Sequence, residues 1–85
     1  MEFATASILD DMKYEGYDDP SIEDLNFGYC DRWADFVLTH LDGAEEEILD
    51  TAPPHVVVRY QGKFYDAEIP EGVDYIEQIP FYNRH

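Results

Sequence analysis

The sequence predicts one α+β domain, a helix packed on a small antiparallel sheet. Three observations carry this reading. Cys30, Ala34, Val37 and Leu41 recur at helical spacing, with Trp33 and Leu38 alongside. His55 to Tyr60 is a valine-rich run whose residues alternate between two faces. Gln61-Gly62 then offers a two-residue hairpin turn into a second run, Lys63 to Ile69. A chain of 85 residues suits a single domain over 1–85 with a modest core.

The elements follow in order. Ile8, Leu9 and Met12 share one side of a short helix from Ala4 to about Lys13. Gly16 and Tyr17-Asp18-Asp19-Pro20 end it, and Asp19 or Ser21 caps the next turn, anchored by Ile22 and Leu25. The stretch from Ile22 to Leu41 forms either one helix or two, and Gly28 favours a break. Gly43 is a C-terminal stop. Ala44 to Asp50 reads as a further helical turn. Pro53-Pro54 forbids helix and leads into the strand from His55. Pro70-Glu71-Gly72 is a turn, and Val73 to Ile79 a short strand before an aromatic tail ending at His85.

Composition excludes several functions. Twenty Asp and Glu face five Lys and Arg, for a formal net charge of -15. Such a surface repels phosphate backbones and anionic lipid, so ordinary nucleic-acid binding and membrane adsorption are not expected. The acids are spread along the chain, and only Glu45 to Glu47 form a run. This distribution points first to a halophilic source, with a nucleic-acid mimic and a binder of a basic partner as rivals. The 45% hydrophobic and 15% aromatic content argues for a packed fold, not a disordered acidic tail. One cysteine cannot form an internal disulfide, and a free thiol suits a reducing compartment. Met1-Glu2-Phe3-Ala4 lacks a basic or apolar leader, so a cytoplasmic protein is expected.

Cys30 stands where the strongest helix begins. There, unpaired N–H groups and the positive end of the dipole favour the thiolate that nucleophilic attack requires. Its own N–H would face a developing oxyanion, and Asn26, Tyr29 or Tyr17 would supply a second donor. The plainer reading of a lone helical cysteine is a small buried hydrophobe, and Asp31 works against a low thiol pKa.

Strand parity places His55, Val57 and Arg59 on one face. With Gln61-Gly62 as the turn, Tyr60 faces Lys63, Val57 faces Asp66 and His55 faces Glu68. Asp66 is then diagonal to His55 on the same face, so either carboxylate would hold the imidazole as its orienting partner. The plainer readings are an ion-paired strand histidine and a solvated acidic face. His40, within the helix, and His85, at the terminus, are poorer bases by context. No close metal-type spacing joins these ligands, and neither a metal nor a cofactor is expected.

Gly28-Tyr29-Cys30 with Ala34, then His55-Val56-Val57-Val58, then Gly62-Lys63-Phe64-Tyr65-Asp66-Ala67-Glu68 together resemble the transglutaminase-like branch of the papain-like cysteine peptidase superfamily. The resemblance covers about residues 26 to 73, in the order Cys, His, Asp. It implies a minimal papain-like/transglutaminase-like core with Cys30 as nucleophile, His55 as base and acid, and Asp66 as orienter. Asn26, Tyr29, Trp33 and Glu68 are the candidate substrate-binding residues around them. The implied activity is cysteine-dependent acyl transfer on a peptide or amide, basic if the acidic walls select it, ending in hydrolysis or transglutamination. The chain is small for either branch, so substrate walls would be missing or come from a second subunit in a homo-oligomer. The alternative is a non-catalytic acidic interaction protein, a degenerate form of this fold or a nucleic-acid mimic.

Overall fold

A computed structural model describes residues 1–84 and shows an α+β domain with four α-helices and a four-stranded antiparallel sheet. The order is α1 (Glu2–Tyr14), α2 (Ile22–Gly28), α3 (Cys30–His40), β1 (Glu45–Leu49), β2 (His55–Tyr60), β3 (Lys63–Asp66), β4 (Ile69–Val73), a 3-10 turn (Ile76–Gln78) and α4 (Pro80–Arg84).

Helix α1 buries Ala4, Ile8 and Met12, one residue per turn on a single stripe. Ser21, not Asp19, starts α2. Its hydroxyl accepts the Asp24 N–H at 3.1 Å, and the Asp24 carboxylate accepts the Ser21 N–H at 3.0 Å, a reciprocal capping box. Two helices, not one, occupy the stretch to Leu41. The break falls at Tyr29, whose φ of -124° and ψ of 13° lie outside the helical region. Gly28 is the last residue of α2, and a Cβ there would meet nothing within 4 Å. The break therefore does not depend on a glycine-only contact. It gives Cys30 the first position of a new helix, and α3 buries Trp33, Ala34 and Val37.

The sheet is a meander in the order β1-β2-β3-β4. Three expectations are corrected. Ala44 to Asp50 is not helical: Glu45–Leu49 is an edge strand paired from Glu45↔Arg59 to Leu49↔His55, because a ready partner strand overrides weak local preference. The run from Lys63 does not reach Ile69 as one strand. It stops at Asp66, turns through Ala67 and Glu68, and returns as β4, which contains Pro70-Glu71-Gly72. Val73 to Ile79 carries the 3-10 turn in place of a further strand beyond β4, and Pro80–Arg84 is helical. The Gln61-Gly62 turn is as expected. Both residues have positive φ, 51° and 81°, as a type I′ hairpin demands, and Tyr60 faces Lys63.

The core has two parts. Ala4, Ile8, Met12, Leu25, Trp33, Ala34 and Val37 from the helices meet Val58 and Ala67. Leu49, Val57 and Ile69 meet Ile79 and Phe81 in a second cluster. Val57 and Val58 point to opposite faces of β2. The sheet is therefore covered by α1–α3 on one side and by the C-terminal segment on the other. Among the described residues, no helix is long and apolar enough to cross a membrane.

Candidate functional site

His55 opens β2 and is fully buried. Its Nε2 lies 2.9 Å from Asp66 Oδ2, with side-chain exposures of 0% and 1%. The other Asp66 oxygen accepts the N–H groups of Glu68, at 2.8 Å, and Ile69, at 3.1 Å. One carboxylate thus closes the β3–β4 turn and holds the imidazole. The turn decides which acid serves. Pairing of β2 with β3 runs from Tyr60↔Lys63 to Val58↔Tyr65, and the chain then leaves the ladder. Glu68 does not stand opposite His55. It is exposed, and its carboxylate accepts two hydrogen bonds from the Arg84 guanidinium at 3.0 and 3.2 Å.

Cys30 is a half-buried free thiol at the head of α3. Burial pushes its pKa up. A hydrogen-bonding interaction with the His55 ring, another with the Val56 backbone and the charge of His55 outweigh burial and the opposing Asp31, so the net shift is downward. His55 moves the other way. Burial disfavours its charge, but the Asp66 carboxylate and the Cys30 sulfur raise its pKa to about 9. Both shifts act in the direction of the charged forms, imidazolium for His55 and thiolate for Cys30. Asp66 occupies Nε2. The other ring nitrogen, Nδ1, is buried and makes no hydrogen bond of ordinary geometry, so the interaction between ring and sulfur falls short of a full hydrogen bond.

The remaining candidates divide. Asn26, in α2, is buried, and both polar atoms of its amide lack a hydrogen-bond partner. Tyr29 is half-buried beside Cys30, edge-on to Tyr17 with ring centroids 5.6 Å apart, and the Arg32 guanidinium lies 4.8 Å from its centroid. Trp33 faces the interior. It is 1% exposed in the helical core and donates its indole N–H to Thr5 at 3.0 Å. His40 is exposed, with Nδ1 on the Phe36 carbonyl at 2.8 Å. His85 lies outside the described residues. Among the described residues no group of three or more His, Cys, Asp or Glu side chains is placed to hold a metal ion.

Sequence reasoning missed Phe81. Its ring stacks on His55 with centroids 4.0 Å apart and planes 20° apart. An aromatic tail carried no signal of which strand it would cover.

Two open grooves run along α2. One of about 660 Å³ is lined by Ile22, Glu23, Phe27, Glu68 and Arg84. The other, of about 330 Å³, is lined by Tyr17, Glu23, Asp24, Phe27 and Gly28. They share Glu23 and Phe27, and neither is lined by Cys30 or His55.

Compared with known proteins, the chain matches no family model, no curated protein and no solved structure.

Proposed function

We propose that Cys30, His55 and Asp66 are the nucleophile, acid–base and orienter of a cysteine-dependent acyl-transfer site, on a minimal papain-like or transglutaminase-like core. The observation that carries this reading is the buried His55–Asp66 hydrogen bond on a ring that also couples to the thiol heading α3. The Cys30 thiolate attacks the carbonyl carbon of an amide, and the carbonyl π pair moves to oxygen. The oxyanion is met by N–H groups at the start of α3. The buried, unpartnered Asn26 amide supports a second donor from α2. Collapse breaks the C–N bond, and the His55 imidazolium gives its proton to the leaving amine. Water then attacks the thioester with neutral His55 as base, releasing the acid and the thiol. An amine attacking in place of water completes transglutamination. Asp66 holds the ring through Nε2 and stabilises its charged form. A reducing compartment such as the cytoplasm keeps the thiol available.

The test is alkylation by iodoacetamide at neutral pH, with folding checked by circular dichroism. The wild type labels faster than His55→Gln by about tenfold or more, the scale set by thiolate fraction. Equal rates in two folded proteins overturn the assignment.

One observation favours a second reading, an acidic interaction protein. The grooves follow Phe27 and Glu23 and bypass Cys30. Equal labelling rates, with a basic peptide still bound along α2, favour that reading.

A further inference from the structure

We propose that α4 is a positioning element for His55, with Phe81 as the residue that fixes the plane of the imidazole and the Arg84–Glu68 pair as the clamp that keeps Phe81 in place. The inference deepens the acyl-transfer reading and rests on it for its chemical consequence.

Asp66 restrains His55 at one atom, Nε2, and a single hydrogen bond leaves the ring able to tilt about it. A flat aromatic surface removes that freedom. Phe81 is 1% exposed and lies near-parallel to the imidazole, at 4.0 Å and 20°. A buried π face on a charged ring also favours the charge. It further keeps water from the His55–Asp66 bond, which strengthens that bond in a low-dielectric setting.

A helix of five residues does not hold itself together. Contacts on both sides hold α4 in place. Asn83 donates its side-chain N–H to the carbonyls of Glu77, at 2.7 Å, and Ile79, at 3.3 Å. Arg84 makes two hydrogen bonds to the Glu68 carboxylate, the forked geometry in which guanidinium is strongest. Glu68 also gives its backbone N–H to Asp66. One short turn therefore anchors the acid that holds His55 and the helix that covers it. The charged groups acting on the ring are Asp66 from β3 and Cys30 from α3. Phe81 covers it from α4.

The test follows the His55 Cε1–H resonance with pH, in the full chain, assigned by its loss in His55→Gln. Phe81→Leu keeps an apolar cover and removes the π face. Arg84→Gln keeps Phe81 and removes the clamp. The inference requires the His55 midpoint to fall in Phe81→Leu by about 0.5 or more on the pH scale. A smaller fall is expected in Arg84→Gln, and slower iodoacetamide labelling at neutral pH in both. A wild-type midpoint near the ordinary histidine value overturns the acyl-transfer reading itself. A high wild-type midpoint that neither variant moves, with labelling also unchanged, overturns the role of α4 and leaves that reading standing. A fall in Phe81→Leu alone supports the stack and overturns the clamp.

Discussion

His55 Nε2 stands 2.9 Å from Asp66 Oδ2, both side chains being buried, and the opposite oxygen of the same carboxylate accepts two backbone N–H groups. The imidazole is thus tied to an acid that itself closes a backbone turn.

Asp66→Asn keeps the shape and removes the charge. His55 should lose much of its elevation above the ordinary histidine range, and Cys30 should label more slowly at neutral pH. Asp66→Ala is harsher. It leaves a buried ring and two turn N–H groups without their acceptor, with an expected loss of about 3–5 kcal/mol in urea unfolding. Unchanged labelling in a folded Asp66→Asn variant would deny Asp66 its orienting role.

Stability should depend on pH through His55. Its folded pKa of about 9 lies above the ordinary 6.5, so its contribution is fully present below about 6.5 and is lost as pH rises through about 9. Cys30, shifted down, works in the opposite sense, its contribution being lost as pH falls through its lowered value. The gap in urea midpoint between wild type and His55→Gln should narrow from neutral to strongly alkaline pH. A constant gap means the ring is not held charged.

Gly72→Ala should destabilise the fold without touching the chemistry. Gly72 has a φ of 80°, and a Cβ there would lie 2.5 Å from Cε2 of Tyr65. Strained backbone and steric overlap together are expected to cost about 1–3 kcal/mol in thermal or urea unfolding. Cys30 labelling at neutral pH should stay at the wild-type rate below the transition, since β4 carries none of the three site residues.

Salt should stabilise the protein. Arg32, Arg59, Lys63 and Arg84 already pair with Glu15, Glu45, Asp74 and Glu68. At a net charge of -15 the acids far outnumber the bases, and added sodium chloride screens the resulting repulsion. The thermal midpoint should climb from low to molar salt. A midpoint that falls would contradict net repulsion as the dominant electrostatic effect.

The hairpin was legible because its turn and its alternation agree. Gln61-Gly62 accepts two positive φ values, and that fixes which strand residues share a face. On that hairpin His55 and Asp66 come together as a hydrogen-bonded pair. The choice of Asp66 over Glu68 was not legible. Pro70-Glu71-Gly72 looks the stronger turn, yet the chain reverses at Ala67-Glu68, where the Asp66 carboxylate accepts the N–H groups. Strand β1 was hidden because three consecutive glutamates have little strand preference of their own, and pairing with β2 makes the strand. The cover over His55 was hidden for a related reason. Phe81 meets it only through tertiary packing, and no local pattern encodes that contact.

The most direct measurement is a titration of the Cys30 thiolate by its ultraviolet absorbance, in folded wild type and His55→Gln. A wild-type midpoint below the ordinary thiol value, returning to that value or above it without the imidazole, is the expected result. Coincident midpoints in the ordinary range would show that the sulfur and the ring do not act on each other, and no thiolate chemistry could be assigned to this site.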